Sequence, residues 1–130
     1  MGITHTSVSV APIGGEKGPW KALFLVDSGA STSMVPGRVL RELGIKPIRK
    51  DQYELADGTK MSFEIGGAVM TVKDIPVVSE VLFGPDDAEP LLGAMTMQAA
   101  NLIWDAEREE LIPSPRVKPL KPMRGRPLTA

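Results

Sequence analysis

Asp27-Ser28-Gly29 is the triplet in this sequence best placed to do chemistry, because it stands where an apolar run stops. Ala22, Leu23, Phe24, Leu25 and Val26 precede Asp27, the pattern of a buried strand feeding a loop. A carboxylate held at such a point is half of an acid–base pair. When a second carboxylate is brought close in a partly desolvated cleft, the two cannot both ionise. One then acts as a base that activates water, and the other as an acid that protonates an amide carbonyl. Gly29 lets two backbones approach closely. The Ser28 hydroxyl can bond neighbouring backbone or a symmetry mate and so fix the loop. Alone, the triplet is equally what a polar turn after a strand looks like, so its meaning depends on its surroundings.

Other reactive side chains offer less. There are no cysteines, which excludes disulfides, thiolate metal sites and a cysteine nucleophile. His5 is the only histidine and has no second histidine or cysteine to share a metal, so it is expected at the surface. Ser28, Ser31 and Ser33 lack a base-and-orienter set for nucleophilic catalysis. Asp86, Asp87 and Glu89 form a carboxylate cluster whose spacing fits no standard calcium loop, and a solvated loop is the expectation. No metal site and no cofactor is expected.

The elements that must position Asp27 read mostly as strands. Residues 6–11 alternate polar and small apolar side chains, and residues 20–26 form the apolar run before Asp27. Prolines and glycines from Pro12 to Pro19 mark the turn between them. Residues 36–43 predict a short helix, with Pro36 in the first turn, Val39, Leu40 and Leu43 on one face, and Gly44 at the end. Residues 53–63 are two alternating segments around Asp57-Gly58, a dipeptide suited to a tight hairpin turn. A further hairpin is expected at Gly66-Gly67, then a strand over residues 75–83. An acidic loop covers residues 84–90, and Leu91-Leu92 is a short apolar pair ending at Gly93. Residues 94–100 predict one or two helical turns, and strands at 102–104 and 111–112 flank a charged turn. Short strands with one or two short helices predict an all-β closed barrel.

At 130 residues the chain is one domain, and 42% hydrophobic residues place it among globular proteins. With few aromatics, Val, Leu, Ile and Met must fill the core; Met34, Met61, Met70, Met95 and Met97 are expected as core fillers, those near the cleft giving an adaptable groove. The net charge of −1 hides an asymmetry. Ten basic residues face all sixteen acidic ones before Pro113, a net of −6, whereas the last 18 residues carry +5. Prolines recur through that basic end, so residues 1–112 are expected as the folded domain and residues 113–130 as an extended tail. A solvated end, a docking arm for an acidic partner and a self-processing segment are its readings. Aromatic interleaving and nucleic-acid motifs are missing, so specific nucleic-acid binding is not expected. Neither a signal peptide nor a run long enough to span a membrane is seen, and a cytoplasmic location with no membrane partner is the expectation.

Three further segments give the triplet its context. Phe24-Leu-Val-Asp-Ser-Gly-Ala-Ser-Thr-Ser-Met-Val-Pro36 resembles the catalytic loop of retropepsins, the single-domain aspartic proteases of the retroviral type. Pro90-Leu-Leu-Gly93 followed by a short helix resembles that family's second signature, in which Leu91, Leu92 and Gly93 would cross behind the active-site loop. Leu55-Ala-Asp-Gly-Thr-Lys-Met61 occupies the position of the flap, and residues 102–112 resemble the closing hairpin. The resemblance spans residues 6–112 in the family's order. Two departures stand out. Ala94-Met95 follows Gly93 where retroviral enzymes commonly have Arg-Asn/Asp, and Ser31 stands where many have the Asp that pairs with that Arg.

The resemblance implies a closed β-barrel of the retropepsin-like acid protease type and an aspartic endopeptidase. Asp27 would be catalytic, with Ser28, Gly29, Ala30 and Ser31 supporting the loop. Ala56, Asp57, Gly58 and Thr59 would form the flap over an extended peptide or protein substrate. Only one such triplet is present, so the second Asp27 would come from a second subunit, giving a homodimer with the dyad on its twofold axis. The alternative is a retropepsin-like dimer without turnover that binds peptides or scaffolds an assembly.

Overall fold

The structure, a computed structural model, describes residues 4–120. The sequence-predicted tail beyond Leu120 lies outside the described residues. Strands β1 (His5–Ala11) and β2 (Trp20–Val26) pair antiparallel, and β3 (Ser33–Pro36) leads into helix α1 (Gly37–Glu42). Strands β4 (Arg49–Glu54), β5 (Lys60–Val72) and β6 (Ile75–Gly84) follow, then β7 (Leu91–Leu92), helix α2 (Ala94–Ala99), and the hairpin of β8 (Leu102–Asp105) with β9 (Glu110–Pro113). In the main sheet the order is β1-β2-β7-β3-β6-β5-β4, and β5 also pairs with β1. That last pairing closes six strands into a barrel and leaves β4 as an outer strand on β5. Both short helices and the all-β class agree with the sequence reading.

The barrel interior follows from the two-residue period of strands. Val8 and Val10 of β1, Phe24 of β2, Val35 of β3, Met70 and Val72 of β5, and Val81 of β6 are almost completely buried. Residues 20–26, expected as a buried strand, are buried on one face only: Phe24 is fully buried, whereas Leu23 is 64% exposed. A barrel strand has an outside, so an unbroken apolar run does not mean two covered faces. Among the methionines, Met70 and Met97 are core. Met95 is exposed, which corrects the expectation that it fills the interior, and Met61 is exposed on the wall of a cleft, the other role expected of these side chains.

Helix α1 ends as its sequence requires. Gly44 has a φ of 81°, its amide donates to the Arg41 carbonyl, and the Ile45 amide donates to Leu40. This is the Schellman arrangement, and Leu40 and Ile45, the residues it joins, are both buried. Its start has no local side-chain cap. Asp86 supplies one from the acidic loop, its carboxylate accepting the Arg38 amide at 3.1 Å. That loop is therefore partly structural. Among the described residues no group of three or more His, Asp or Glu side chains is arranged to hold a metal.

The hairpin expected at Gly66-Gly67 is not there. Both glycines lie inside β5, and the chain turns instead at Lys73 and Asp74, with φ values of 50° and 65°. Gly66 lies in a tight spot, since an added Cβ would sit 3.1 Å from the Lys46 carbonyl oxygen and from Phe83. The β8–β9 ladder reaches Pro113, opposite Leu102. Beyond it the Ser114 amide donates to the Asn101 carbonyl, and Lys118 Nζ donates to the Ala99 carbonyl at 2.6 Å. The first residues of the predicted tail thus lie back along the end of α2. No helix among the described residues is long and apolar enough to cross a membrane.

Candidate active site

Asp27 lies immediately after β2, on a loop of residues 27–32 that ends where β3 begins. Strand β7 runs between β2 and β3, parallel to the first and antiparallel to the second. Leu25 pairs with Leu91 and Val26 with Leu92, and the Asp27 amide donates to the Leu92 carbonyl at 3.0 Å. The end of β2 is therefore pinned at the residue that carries the carboxylate.

The loop is then tied on itself and from behind. Asp27 Oδ1 accepts the Gly29 amide at 3.1 Å, and the Asp27 carbonyl accepts the Ala30 amide at 3.1 Å. Helix α2 has Gly93 at its N-cap and no side-chain cap. The first amides of a helix have no partner within it. Here the Ala94 and Met95 amides donate to the carbonyls of Ala30 and Ser31, at 2.8 and 3.0 Å. The helix start finds its acceptors in the loop, and the loop gains a rigid backing. Leu91, Leu92 and Gly93 thus run behind the loop. Gly93 has no room for a side chain: an added Cβ would lie 2.6 Å from the Thr32 carbonyl carbon.

Asp27 is half-buried, and Ser28 and Gly29 are exposed. Ser28 makes no side-chain hydrogen bond among the described residues, while the Ser31 hydroxyl lies 3.5 Å from that of Thr32. Two clefts flank the triplet and share Gly29. One, of about 460 Å³, is bounded by Thr4, Val26, Asp27, Trp104 and Glu109. The other, of about 420 Å³, runs from residues 29–32 to the β4–β5 hairpin and is walled by Met34, Tyr53, Leu55, Met61, Phe63 and Leu91. Among the described residues Glu54 is the only charged side chain on its lining.

The β4–β5 turn carries Ala56, Asp57, Gly58 and Thr59, all exposed. Leu55 and Thr59 close it through a 2.7 Å bond from the Leu55 amide to the Thr59 carbonyl, and Gly58 takes a φ of 87°. Thr59 holds the Asp57 carboxyl below its ordinary range, through its hydroxyl first and its amide second. Of the two, the amide contact, at 2.9 Å, has hydrogen-bond geometry. Asp57 thus serves the turn, as its type in a tight turn predicts.

Tyr53 links the turn strand to the loop. Its hydroxyl lies 3.3 Å from Thr32 Oγ1 and its ring packs edge-on against Phe63. Tyr53 precedes the turn in sequence, where strand packing and a place over the cleft are both open to it. The structure puts it on the cleft wall, and the approach of β4 to the loop makes the contact with Thr32. His5 is exposed, as expected, with Nε2 2.6 Å from Glu89 Oε1. It lies outside both clefts.

Comparison with known proteins agrees with this architecture. The profile of the family described as gag-polyprotein putative aspartyl protease matches residues 17–99, which takes in the Asp27 loop, the β4–β5 hairpin and Leu91-Leu92-Gly93. No curated protein sequence matches the chain significantly. Among solved structures, the simian foamy virus (mac) protease superposes with a TM-score of 0.53 at 23% identity, covering 73% of this chain and 92% of that one. The retroviral protease-like domain of Ddi1 from Leishmania major also gives a TM-score of 0.53, at 16% identity, covering 88% of this chain and 92% of that one. At such identities these likenesses establish the fold. Together with the profile match over most of the barrel, they place the chain in the gag-polyprotein aspartyl protease family, with a retropepsin-like barrel.

Proposed function

We propose that this protein is an aspartic endopeptidase whose active site is completed by two chains, each contributing Asp27. The observation that carries the reading is a single carboxylate, half-buried, on a loop held by Leu92, Ala94 and Met95, with a cleft on either side. Rigid placement of that kind is what acid–base catalysis by a carboxylate pair requires. The sequence holds one Asp-Ser-Gly, so the partner carboxylate comes from a second copy across a twofold axis.

Two carboxylates at hydrogen-bonding distance carry one negative charge and one proton between them. The ionised one takes a proton from a water held between them, and that water attacks the scissile carbonyl. The protonated one gives its proton to the carbonyl oxygen. Collapse of the tetrahedral intermediate breaks the C–N bond, and a proton passes to the leaving amine. Activity is expected to peak at acidic to mildly acidic pH, where the pair holds its single proton.

An extended substrate would lie beneath residues 56–60, acting as a flap, and bind as an added strand through main-chain hydrogen bonds. The cleft walled by Met34, Tyr53, Met61 and Phe63 favours an apolar substrate side chain beside the scissile bond. The test is cleavage of a peptide library by the purified protein across acidic to neutral pH, beside its Asp27→Asn variant. Cleavage by the wild type and none by the variant is expected. Undiminished cleavage by Asp27→Asn would sink the mechanism, and a dimer that binds peptides without cutting any would favour a binding module.

A further inference from the structure

Three buried hydroxyls lie in a row behind the Asp27 loop. Ser33 on β3 and Thr96 on α2 are fully buried, and Ser79 on β6 is 7% exposed. The Gly93 amide lies 2.9 Å from Ser33 Oγ, which lies 2.6 Å from Thr96 Oγ1. Thr96 Oγ1 lies 2.7 Å from Ser79 Oγ, which lies 3.0 Å from the Glu80 carbonyl oxygen.

The two ends of this row have fixed roles. The Gly93 amide can only donate, and the Glu80 carbonyl can only accept. Each hydroxyl has one proton to give, so the four links need all four donors. A single assignment satisfies them: Gly93 donates to Ser33, Ser33 to Thr96, Thr96 to Ser79, and Ser79 to Glu80. The row is therefore a directed chain, and hydrogen bonds running in one direction reinforce one another in a buried setting.

Its first link sits where the active-site loop is most constrained. Gly93 packs directly onto the backbone of Thr32 and Ser33. On one side Leu92 accepts the Asp27 amide; on the other, Ala94 and Met95 donate to Ala30 and Ser31. Every main-chain bond from β7 and α2 to the loop thus comes from a residue within two positions of Gly93.

We propose that Thr96, acting through Ser33, is a positioning residue for Asp27. The hydroxyl chain fixes Gly93 in depth, and Gly93 sets the position of the loop. Ser31 and Met95 are exposed and their side chains take no part in this support, so the backing of the loop is neutral and buried. The activity arm of this inference rests on the catalytic reading above; its exchange arm does not.

The test compares Thr96→Val, which keeps the shape and removes the hydroxyl, with Thr96→Ser, which keeps the hydroxyl. Amide hydrogen exchange is followed at Gly93 and, as a control for global opening, at Phe24. Thr96→Val is expected to speed Gly93 exchange at least tenfold beyond any change at Phe24, and to lower kcat at least tenfold with KM within about twofold. Thr96→Ser is expected to restore both. Equal acceleration at Gly93 and Phe24, or unchanged Gly93 exchange, would overturn the proposal. Should Thr96→Val fail to fold, Ser79→Ala breaks the same chain at its far end and must still loosen Gly93 selectively; its failure to do so overturns the proposal too. If the wild type cleaves nothing, the catalytic reading fails while the exchange arm still decides whether the chain holds the loop.

Discussion

The Asp27 amide donates to the Leu92 carbonyl at 3.0 Å, joining the end of β2 to a two-residue strand from the other end of the domain. Through this bond the placement of one carboxylate depends on how Leu92 and Gly93 pack.

Replacing Gly93 tests that dependence. In Gly93→Ala the new methyl meets backbone, with Thr32 C at 2.6 Å, Thr32 O at 2.8 Å and Ser33 N at 2.9 Å. Backbone cannot swing aside as a side-chain tip does. A loss of about 1–3 kcal/mol is expected, the range for forced overpacking, read as a lower urea midpoint with an unchanged slope. Cleavage should fall further than the folded fraction does.

Asp27→Asn removes the charge and keeps the shape. The Gly29 amide still finds an acceptor in the amide oxygen, so circular dichroism and melting should change little. Turnover is expected to fall by about 10²–10⁴-fold, the scale of general acid–base catalysis.

If each chain supplies half of the dyad, specific activity must fall on dilution as dimers dissociate. Adding excess Asp27→Asn chain to a fixed amount of wild type should suppress cleavage by forming mixed dimers. Activity independent of concentration and unaffected by the variant would refute shared catalysis.

Gly58 has a φ of 87°, and an added Cβ would meet nothing within 4 Å. The penalty of Gly58→Ala is therefore conformational, about 1–2 kcal/mol for a left-handed residue, and confined to an exposed turn. A severalfold rise in KM is expected, with a melting temperature lowered by several degrees, on the scale of about 2–8 °C per kcal/mol for a small domain. Gly58→Asn should be milder, because asparagine tolerates this region better.

Asp57 gives the same turn a pH dependence. Its carboxyl is held below the ordinary 3.8 by Thr59, so ionised Asp57 supports the turn above that value. The support is lost as pH falls below 3.8 and through the lower folded value. The Thr59 amide should then exchange faster than expected from its rate at higher pH, and Asp57→Asn should flatten that change.

Several elements were legible because their causes are local. The apolar run before Asp27, the Asp57-Gly58 turn and the Gly44 helix stop all appear where their residue types require. Gly66-Gly67 misled, because a glycine pair marks a turn only when the backbone needs it. Here Gly66 makes room for the carbonyl of Lys46, a residue that nothing in the local pattern brings near.

By itself the sequence determined the all-β class and the single Asp-Ser-Gly triplet, since periodicity and turn chemistry are local properties of the chain. The place of Leu91-Leu92-Gly93 behind the triplet was implied by the resemblance to retropepsins. The tertiary structure alone decided what holds the triplet. Asp86 capping α1, Tyr53 reaching Thr32, and the hydroxyls of Ser33, Thr96 and Ser79 meeting in the core all join residues far apart in sequence. Serine and threonine look alike in any polar stretch, and only closure of the barrel excludes water from these three and makes their hydrogen bonds to one another obligatory.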